Sequence, residues 1–306
     1  MEEWLQRSPG RPAEVAFFGG SFSLLPRDVQ RTLLGAVRTF LEQGSISGIR
    51  ISTRPDALDH DILIFLQEQG VRTIEVGVQS LDDQVLQRCG RGHTARDAVE
   101  AIARVAAAGL SVGAQLLPGL PGDSRELSLQ SVHGVIAAGA RFLRFYPAVV
   151  LADTPLAALF AAGEYTPPDL AQGVQICARM LHLCLKAGIP VIRIGLQADE
   201  SLQQKDAILA GCWHPALGQL VRSELFYDLI CSLTADCDTV EPFTLVSHPR
   251  NFSEVIGNRR HTLQRLQQRG VKVSHVVPDA LLAPDEVALK QRECYYKGSI
   301  ITDLHY

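Results

Sequence analysis

Four short stretches place backbone-exposing or hydrogen-bonding residues where a strand pattern gives way to a loop. The first is Phe17-Phe18-Gly19-Gly20-Ser21-Phe22. Its paired glycines let a ligand reach main-chain carbonyls and amides, although the same pair also reads as an ordinary turn. The second, Ser52-Thr53-Arg54-Pro55-Asp56, is a polar cluster of the kind that meets ligands at the carboxyl ends of parallel strands. It reads equally as a helix start with Arg54 in a surface ion pair. In the third, Gly77-Val78-Gln79-Ser80, Gln79 offers both a donor and an acceptor. The glycine-flanked loop that follows carries Arg91, whose planar fork suits a carboxylate. In the fourth, Gln115 precedes a stiff Pro/Gly loop, Leu117-Pro118-Gly119-Leu120-Pro121-Gly122-Asp123.

Other polar residues near these stretches read as structural. Thr94 and Asp97 have capping-box spacing, and His93 reads as a loop residue rather than a general base. The seven cysteines are Cys89, Cys177, Cys184, Cys212, Cys231, Cys237 and Cys294, odd in number and dispersed. That usage fits reduced thiols rather than a disulfide framework. Cys177 and Cys184 share the apolar face of one helical pattern, and Cys212-Trp213-His214 has no evident ligand partner.

The elements that must position these residues follow a regular rhythm. Strand patterns are expected at Glu14–Phe18, Gly48–Thr53, Val71–Val78, Leu110–Leu117, Arg141–Pro147 and Ile189–Gly195, with helical patterns between them. The phrases EQG-V, AAG-L, AAG-A and KAG-I each stop a helix at glycine, which suits the left-handed residue beyond a helix end. Such alternation predicts βαβ units and a parallel sheet. The fold class expected is α/β, a partial (βα) TIM-like barrel of parallel strands with a small C-terminal α/β appendage. Its domains are expected at residues 1–200 and 201–306, and the appendage is expected around the helical stretch Asn251–Arg269.

Strand parity adds a chemical point. Arg50, Ser52 and Arg54 lie opposite Ile49 and Ile51; Glu75, Gly77 and Gln79 lie opposite Ile74, Val76 and Val78. Likewise Gln115 opposes Leu116, and Arg144 opposes Leu143 and Phe145. Helices cover the aliphatic face, so the polar face lines either a polar cavity or a set of structural ion pairs.

The chain has 306 residues, 46% of them hydrophobic, and a formal net charge of −4. It can therefore bury a substantial core, and as a whole it is not coated for nucleic acid. No apolar run reaches membrane-spanning length, and the N-terminus lacks the pattern of a signal peptide. A cytoplasmic location without membrane partners is the expectation.

Taken in order, FFGGSF, ISTRPD, EVGVQSLDDQVL, GRGHT, LLPGLPGDS and RFYPAVVLADTPL resemble the radical S-adenosylmethionine (radical SAM) core of the Elongator catalytic subunit family. Residues 14–200 are also similar, more distantly, to oxygen-independent coproporphyrinogen dehydrogenase. The resemblance implies S-adenosylmethionine (SAM) and a [4Fe–4S] cluster as cofactors. It implies that Gly19 and Gly20 accept the methionyl ammonium, with Phe18 and Ser21 beside them in the cofactor-binding stretch, and that Ser52 and Thr53, with Arg54 beside them, approach the ribose. Gln79 and Arg91 then match positions that contact the ribose and the methionyl carboxylate. Gln115 falls where the coproporphyrinogen relative carries an acidic ribose contact.

The family holds its cluster with C-x-x-x-C-x-x-C ahead of the FFGG element. None of the 18 residues before Gly19 is cysteine, so this chain is expected neither to bind a cluster in the standard way nor to hold any other metal. The first barrel strand is then expected to be missing too, leaving the strand at Glu14 as an edge prone to self-association. By resemblance the complete form cleaves SAM reductively to a 5′-deoxyadenosyl radical and modifies RNA. The basic stretch 250–272, with Arg250, Arg259, Arg260, Arg265, Arg269 and Lys272, would meet phosphates. The alternatives are a cluster-less SAM-binding or scaffold protein, and a barrel enzyme acting on a phosphorylated metabolite.

Overall fold

The computed structural model describes residues 13–197, 206–235, 237 and 241–306. Residues 1–12, part of the stretch read against a signal peptide, and the boundary expected at residues 200–201 lie outside the described residues. The chain divides into two compact units. One runs through Tyr146 and takes in Ile189–Ile192; the other comprises Pro147–Gly188 and the residues from Arg193 onward.

In chain order the elements begin with β1 (Glu14–Phe17), α1 (Arg27–Gly35), α2 (Arg38–Glu42) and β2 (Gly48–Thr53). They continue with α3 (His60–Glu68), β3 (Val71–Gln79), α4 (Asp83–Arg88), α5 (Ala95–Ala107), β4 (Ser111–Leu116), α6 (Arg125–Ala137) and β5 (Phe142–Phe145). Next come β6 (Val149–Leu151), α7 (Pro155–Ala161), α8 (Leu170–Lys186), β7 (Val191–Ile194), β8 (Ile208–Gly211) and α9 (Leu217–Leu233). The last are β9 (Phe243–Ser247), α10 (Phe252–Ile256), α11 (His261–Gln268), β10 (Val273–Pro278), β11 (Glu286–Gln291) and β12 (Cys294–Ser299).

Six strands form a curled half-barrel sheet in the order β1-β2-β3-β4-β5-β7. Its pairings from β1 to β5 are all parallel. A second sheet, β10-β9-β11-β12, joins β9 and β10 in parallel across α10 and α11, and closes with the antiparallel hairpin β11–β12. This is the α/β appendage expected from the sequence, enlarged by the hairpin. Among the described residues no helix is long and apolar enough to cross a membrane.

Local chemistry explains the helix limits. Asp59 starts α3 by accepting from Ile62 N at 2.8 Å. Thr94 and Asp97 form the expected capping box on α5, a device worth about 1 kcal/mol. The four helix-to-strand junctions read from the sequence each stop at a glycine of positive φ, from 67° at Gly188 to 108° at Gly139. One expectation is corrected: the single helix read over Pro26–Gln43 is two. Ala36 and Val37 make a turn between α1 and α2, where Val37 N donates to Leu34 O, three residues back, and the β-branched Val37 side chain is buried.

The two faces of the sheet differ as the strand parity predicts. Ile49, Ile51, Ile74, Val76, Val112, Leu116, Leu143 and Phe145 are all fully buried. On the opposite face the registers align Arg50 with Thr73, Ser52 with Glu75, Glu75 with Gly113, and Gln115 with Arg144. That face also accommodates one ring. A Cβ on Gly113 would lie 2.2 Å from Phe142 Cε2, so glycine is what lets Phe142 lie across β4. Arg50 Cζ in turn stands 4.9 Å from the centre of the Phe142 ring. Gly113→Ala should therefore lower stability by about 1–3 kcal/mol through overpacking. Gly113→Ala with Phe142→Leu should recover much of that loss, with urea unfolding midpoints as the measurement.

Candidate functional site

The glycine corner follows β1. Gly19 and Gly20 hold φ of 109° and 145°, with no atom within 4 Å of the place a Cβ would take. The requirement for glycine is thus conformational, and the backbone here is exposed. Phe17–Phe22, with Leu25 and Leu33, line a concavity of about 240 Å³. The Phe18 ring is 55% exposed, and Arg144 Cζ lies 5.1 Å from its centre. Behind the corner, Gln30 of α1 donates to Ser23 O at 3.1 Å and to Leu25 O at 2.7 Å. This brace was missed in the sequence because a polar residue on an amphipathic helix carries no local sign of it. Ser21 opens the short turn Phe22–Leu24, its carbonyl accepting from Leu24 N at 3.0 Å.

At the end of β2 the polar cluster divides. The Thr53 hydroxyl is buried and hydrogen-bonded to the Ser23 hydroxyl. Ser52 Oγ accepts from Gln115 Nε2 at 3.4 Å. Arg54 makes the ion pair anticipated as one alternative, with Nε 2.9 Å from Asp56 Oδ1 and Nη2 2.6 Å from Oδ2. Hydrogen bonding from Arg54 holds the Asp56 carboxyl below its ordinary range despite partial burial.

Beyond β3 the backbone turns sharply. Gln79 has φ 69°, its carbonyl accepts from Leu117 N at 2.9 Å, and its side chain is buried. The Gln79 amide folds over Gly77, where Nε2 would be 2.8 Å from an added Cβ. The loop Gly90–Thr94 is pinned to β3 by His93, whose Nε2 is 3.2 Å from Val78 O. His93 lies in the loop, as read from the sequence, and the structure adds that it is a buried anchor. Beside it, Arg91 Nε is buried and has no hydrogen-bond partner. Burial pushes the Arg91 guanidinium down, and the charge on Arg54 adds to that. Arg54 overlies the same loop, with Nη2 3.1 Å from where a Gly92 Cβ would sit. Asp56 neutralises Arg54, so a site beside Arg91 keeps net positive charge.

On the inward face Glu75 is fully buried. Its Oε1 accepts from Arg50 Nη1 at 2.9 Å, and its Oε2 accepts from Gln115 Nε2 at 2.9 Å. Arg144 Nε is also 2.9 Å from Oε2, close as an ion pair but off the line of its N–H. Arg50 reaches on to Glu14, which also accepts from Thr73 Oγ1 at 2.7 Å. Burial by itself would lower Arg50, but its hydrogen bonds to Glu14 and Glu75 raise it overall. Of the two readings of the polar face, Arg50, Glu75 and Arg144 realise the ion-pair one. Glu75 and Arg144 were legible as face residues but not as a hub. After β4, Asp123 closes the Pro/Gly loop by accepting from Gly119 N and Ser128 Oγ, both at 2.7 Å.

Of the predicted residues, Ser52 and Gln115 touch, and Arg54 overlies the loop of Arg91. Phe18, Gly19, Gly20 and Ser21 form their own corner, Thr53 is bonded to Ser23, and Gln79 folds back over Gly77. The cysteines carry no site among the described residues: Cys177, Cys184 and Cys212 are buried, with burial raising each thiol and bringing Cys184 and Cys212 to about 12. Among the described residues no group of three His, Cys, Asp or Glu side chains could hold a metal ion.

The second unit has its own cavity of about 830 Å³ beside α8, α9 and α11. The basic stretch that borders it is not uniformly free. Arg265 pairs with buried Glu224, Nη2 to Oε1 at 3.1 Å, and lies over Tyr227 at 3.6 Å. Arg269 is raised by a hydrogen bond to Tyr227, whereas Arg259 and Arg260 are exposed.

The Radical SAM superfamily model matches residues 2–128, and the Radical_SAM C-terminal domain model matches residues 140–227. The tRNA uridine(34) acetyltransferase of Methanocaldococcus jannaschii is 29% identical over 129 residues, 41% of this chain and 24% of that protein. The heme chaperone HemW of Escherichia coli is 31% identical over 162 residues, 52% of this chain and 42% of that one. Elongator complex protein 3 of Saccharomyces cerevisiae is 28% identical over 190 residues, covering 56% and 34%. The chain thus spans from a quarter to less than half the length of these three relatives. The structure of an N-terminally deleted Methanocaldococcus infernus Elp3 shares the fold at TM-score 0.63 and 23% identity, over 73% of this chain and 56% of that one. By the parallel half-barrel and by both matches along its length, the chain belongs to the radical SAM superfamily, whose cofactors are S-adenosylmethionine and a [4Fe–4S] cluster.

Proposed function

We propose that this chain binds S-adenosylmethionine along the carboxyl ends of β1 to β4, as a radical SAM core serving the modification of RNA. The observation that carries the reading is Arg91, a guanidinium with a buried, unpartnered Nε beside a neutralised Arg54–Asp56 pair. A buried unsatisfied donor costs roughly 1–3 kcal/mol, and a carboxylate ligand would satisfy it by a charge-assisted bond. The exposed backbone at Gly19 and Gly20 suits a ligand ammonium, and the hydroxyl-sized partners Ser52 and Gln115 suit a ribose. In this reading Phe18, Ser21, Thr53 and Gln79 shape the rim: Thr53 is held by Ser23, and Gln79 by the turn over Gly77.

The residues described do not fit the cluster. Their buried cysteines are dispersed through the core, and burial disfavours the thiolate form that iron requires. Reductive cleavage of SAM to the 5′-deoxyadenosyl radical is the chemistry that a cluster supplies in this family. In this reading the described residues contribute binding and orientation of S-adenosylmethionine, and a SAM-binding module without catalysis is the second reading.

RNA as the substrate class draws support from relatives named for tRNA uridine 34 and for Elongator, and from exposed Arg259 and Arg260. Arg265, spent on Glu224, takes no part. Self-association is part of the proposal for β1, which has a partner strand on one side only among the described residues.

Calorimetry of the purified chain with S-adenosylmethionine tests the ligand. One-to-one binding is expected, weakened roughly ten- to hundredfold by Arg91→Ala as a hydrogen bond to a charged group is lost; no heat of binding to the wild-type chain would sink the reading. For RNA, tRNA affinity should fall with rising salt at a log–log slope of about −0.7 to −0.9 per phosphate contact. It should weaken further in Arg259→Ala/Arg260→Ala, and an affinity indifferent to salt would remove RNA as the partner.

A further inference from the structure

We infer that Glu75 is a positioning residue that fixes which end of the Gln115 amide faces the ligand, making the rim selective for a hydroxyl donor. The inference rests on the SAM reading of the rim and adds to it the polarity of one contact.

A neutral amide has a donating end and an accepting end, and these are nearly isosteric. A glutamine free to turn by 180° can meet a hydroxyl, an amine or an ether equally well. Gln115 is not free to turn. Its Nε2 lies 2.9 Å from Glu75 Oε2 and 3.4 Å from Ser52 Oγ. A carboxylate oxygen flanked by two guanidiniums only accepts, so the amide nitrogen must be the end that faces it. Both Nε2 hydrogens are then engaged, and Oε1 is left as an acceptor. Ser52, having accepted from Gln115, keeps its own hydroxyl hydrogen to give. An acceptor and a donor side by side complement a sugar hydroxyl, which gives one hydrogen and takes another. Turning the amide would set Oε1 against the buried Glu75 carboxylate, two acceptors with no proton between them.

Glu75 is itself immobilised. It is fully buried, Arg50 and Arg144 hold it from two sides, and Arg50 is tied back to Glu14. The selectivity of a half-buried rim residue is therefore set by a fully buried carboxylate behind it.

The test measures the full chain binding S-adenosylmethionine, its 2′- and 3′-deoxy analogues, and the corresponding fluoro analogues, which lack the hydrogen to donate. For one of the two hydroxyls the wild type should prefer the parent by about tenfold or more over both analogues, as sites built to pair a hydroxyl do. In E75Q the amide is no longer constrained, and the preference should fall below about threefold. A purely structural role would weaken all ligands alike and leave the ratio unchanged. The exchange E75Q/Q115E puts a carboxylate at the rim with an amide behind it, so the preference should return. This double variant, checked for folding by thermal melting, carries the test if E75Q alone does not fold. If neither variant folds, the wild-type comparison decides: full affinity for both fluoro analogues overturns the inference. Unchanged discrimination in E75Q, or none in a folded E75Q/Q115E, overturns it as well while leaving SAM binding intact. Absence of SAM binding by the wild type overturns the ligand reading and this inference together.

Discussion

A carboxylate with no exposure to water stands in the middle of the polar face of the half-barrel, and the arrangement around it follows from the need to satisfy it. Glu75 sits on β3 with Arg50 on β2 and both Gln115 on β4 and Arg144 on β5 within reach. Removing one partner of such a buried pair typically costs about 3–5 kcal/mol, so the four strands are locked in register by charge as well as by backbone ladders. The aliphatic residues on the other face supply the burial that keeps the sheet together. The ions supply specificity of pairing, since a slip of one residue would turn Glu75 into the apolar layer.

From this hub the site is organised outward. Gln115 is joined directly to it and Ser52 through Gln115, while Arg144 extends from Glu75 to the exposed ring of Phe18 beside the glycine corner. The Arg91 loop is held by a different device, the His93 anchor to β3. These candidate residues thus have side chains behind them, which is what a site needs to hold its geometry. Phe142 lies across β4 on this face, and Gly113 makes room for it.

Several features were legible in the residues because their causes are local. The span Gly48–Thr53 appears as β2 unaltered, since a β-branched run between polar turns has few alternatives. The Thr94–Asp97 box, the glycine stops and the core positions of Cys177 and Cys184 followed from spacing alone. Arg54 was ambiguous: sequence placed it at a strand end, but only the fold showed that Asp56, two residues away, takes its charge. The break at Val37 was not legible because the backbone stays right-handed through the turn, so the apolar period is nearly intact.

Sequence by itself determined the alternation of strand and helix, the two chemically distinct faces of the sheet and the rim positions of the candidate residues. Those depend on periodicity, capping and turn chemistry within a few residues. Tertiary structure alone decided how the polar face spends its charges. Glu75 meets partners 25 and 40 residues away, and Arg265 finds Glu224 across 41 residues. Arg91 is left without a partner at Nε while nearby Arg54 has one. Such pairings depend on which strands become neighbours, and the cost of burying a charge then determines which groups are satisfied within the chain and which remain for a ligand.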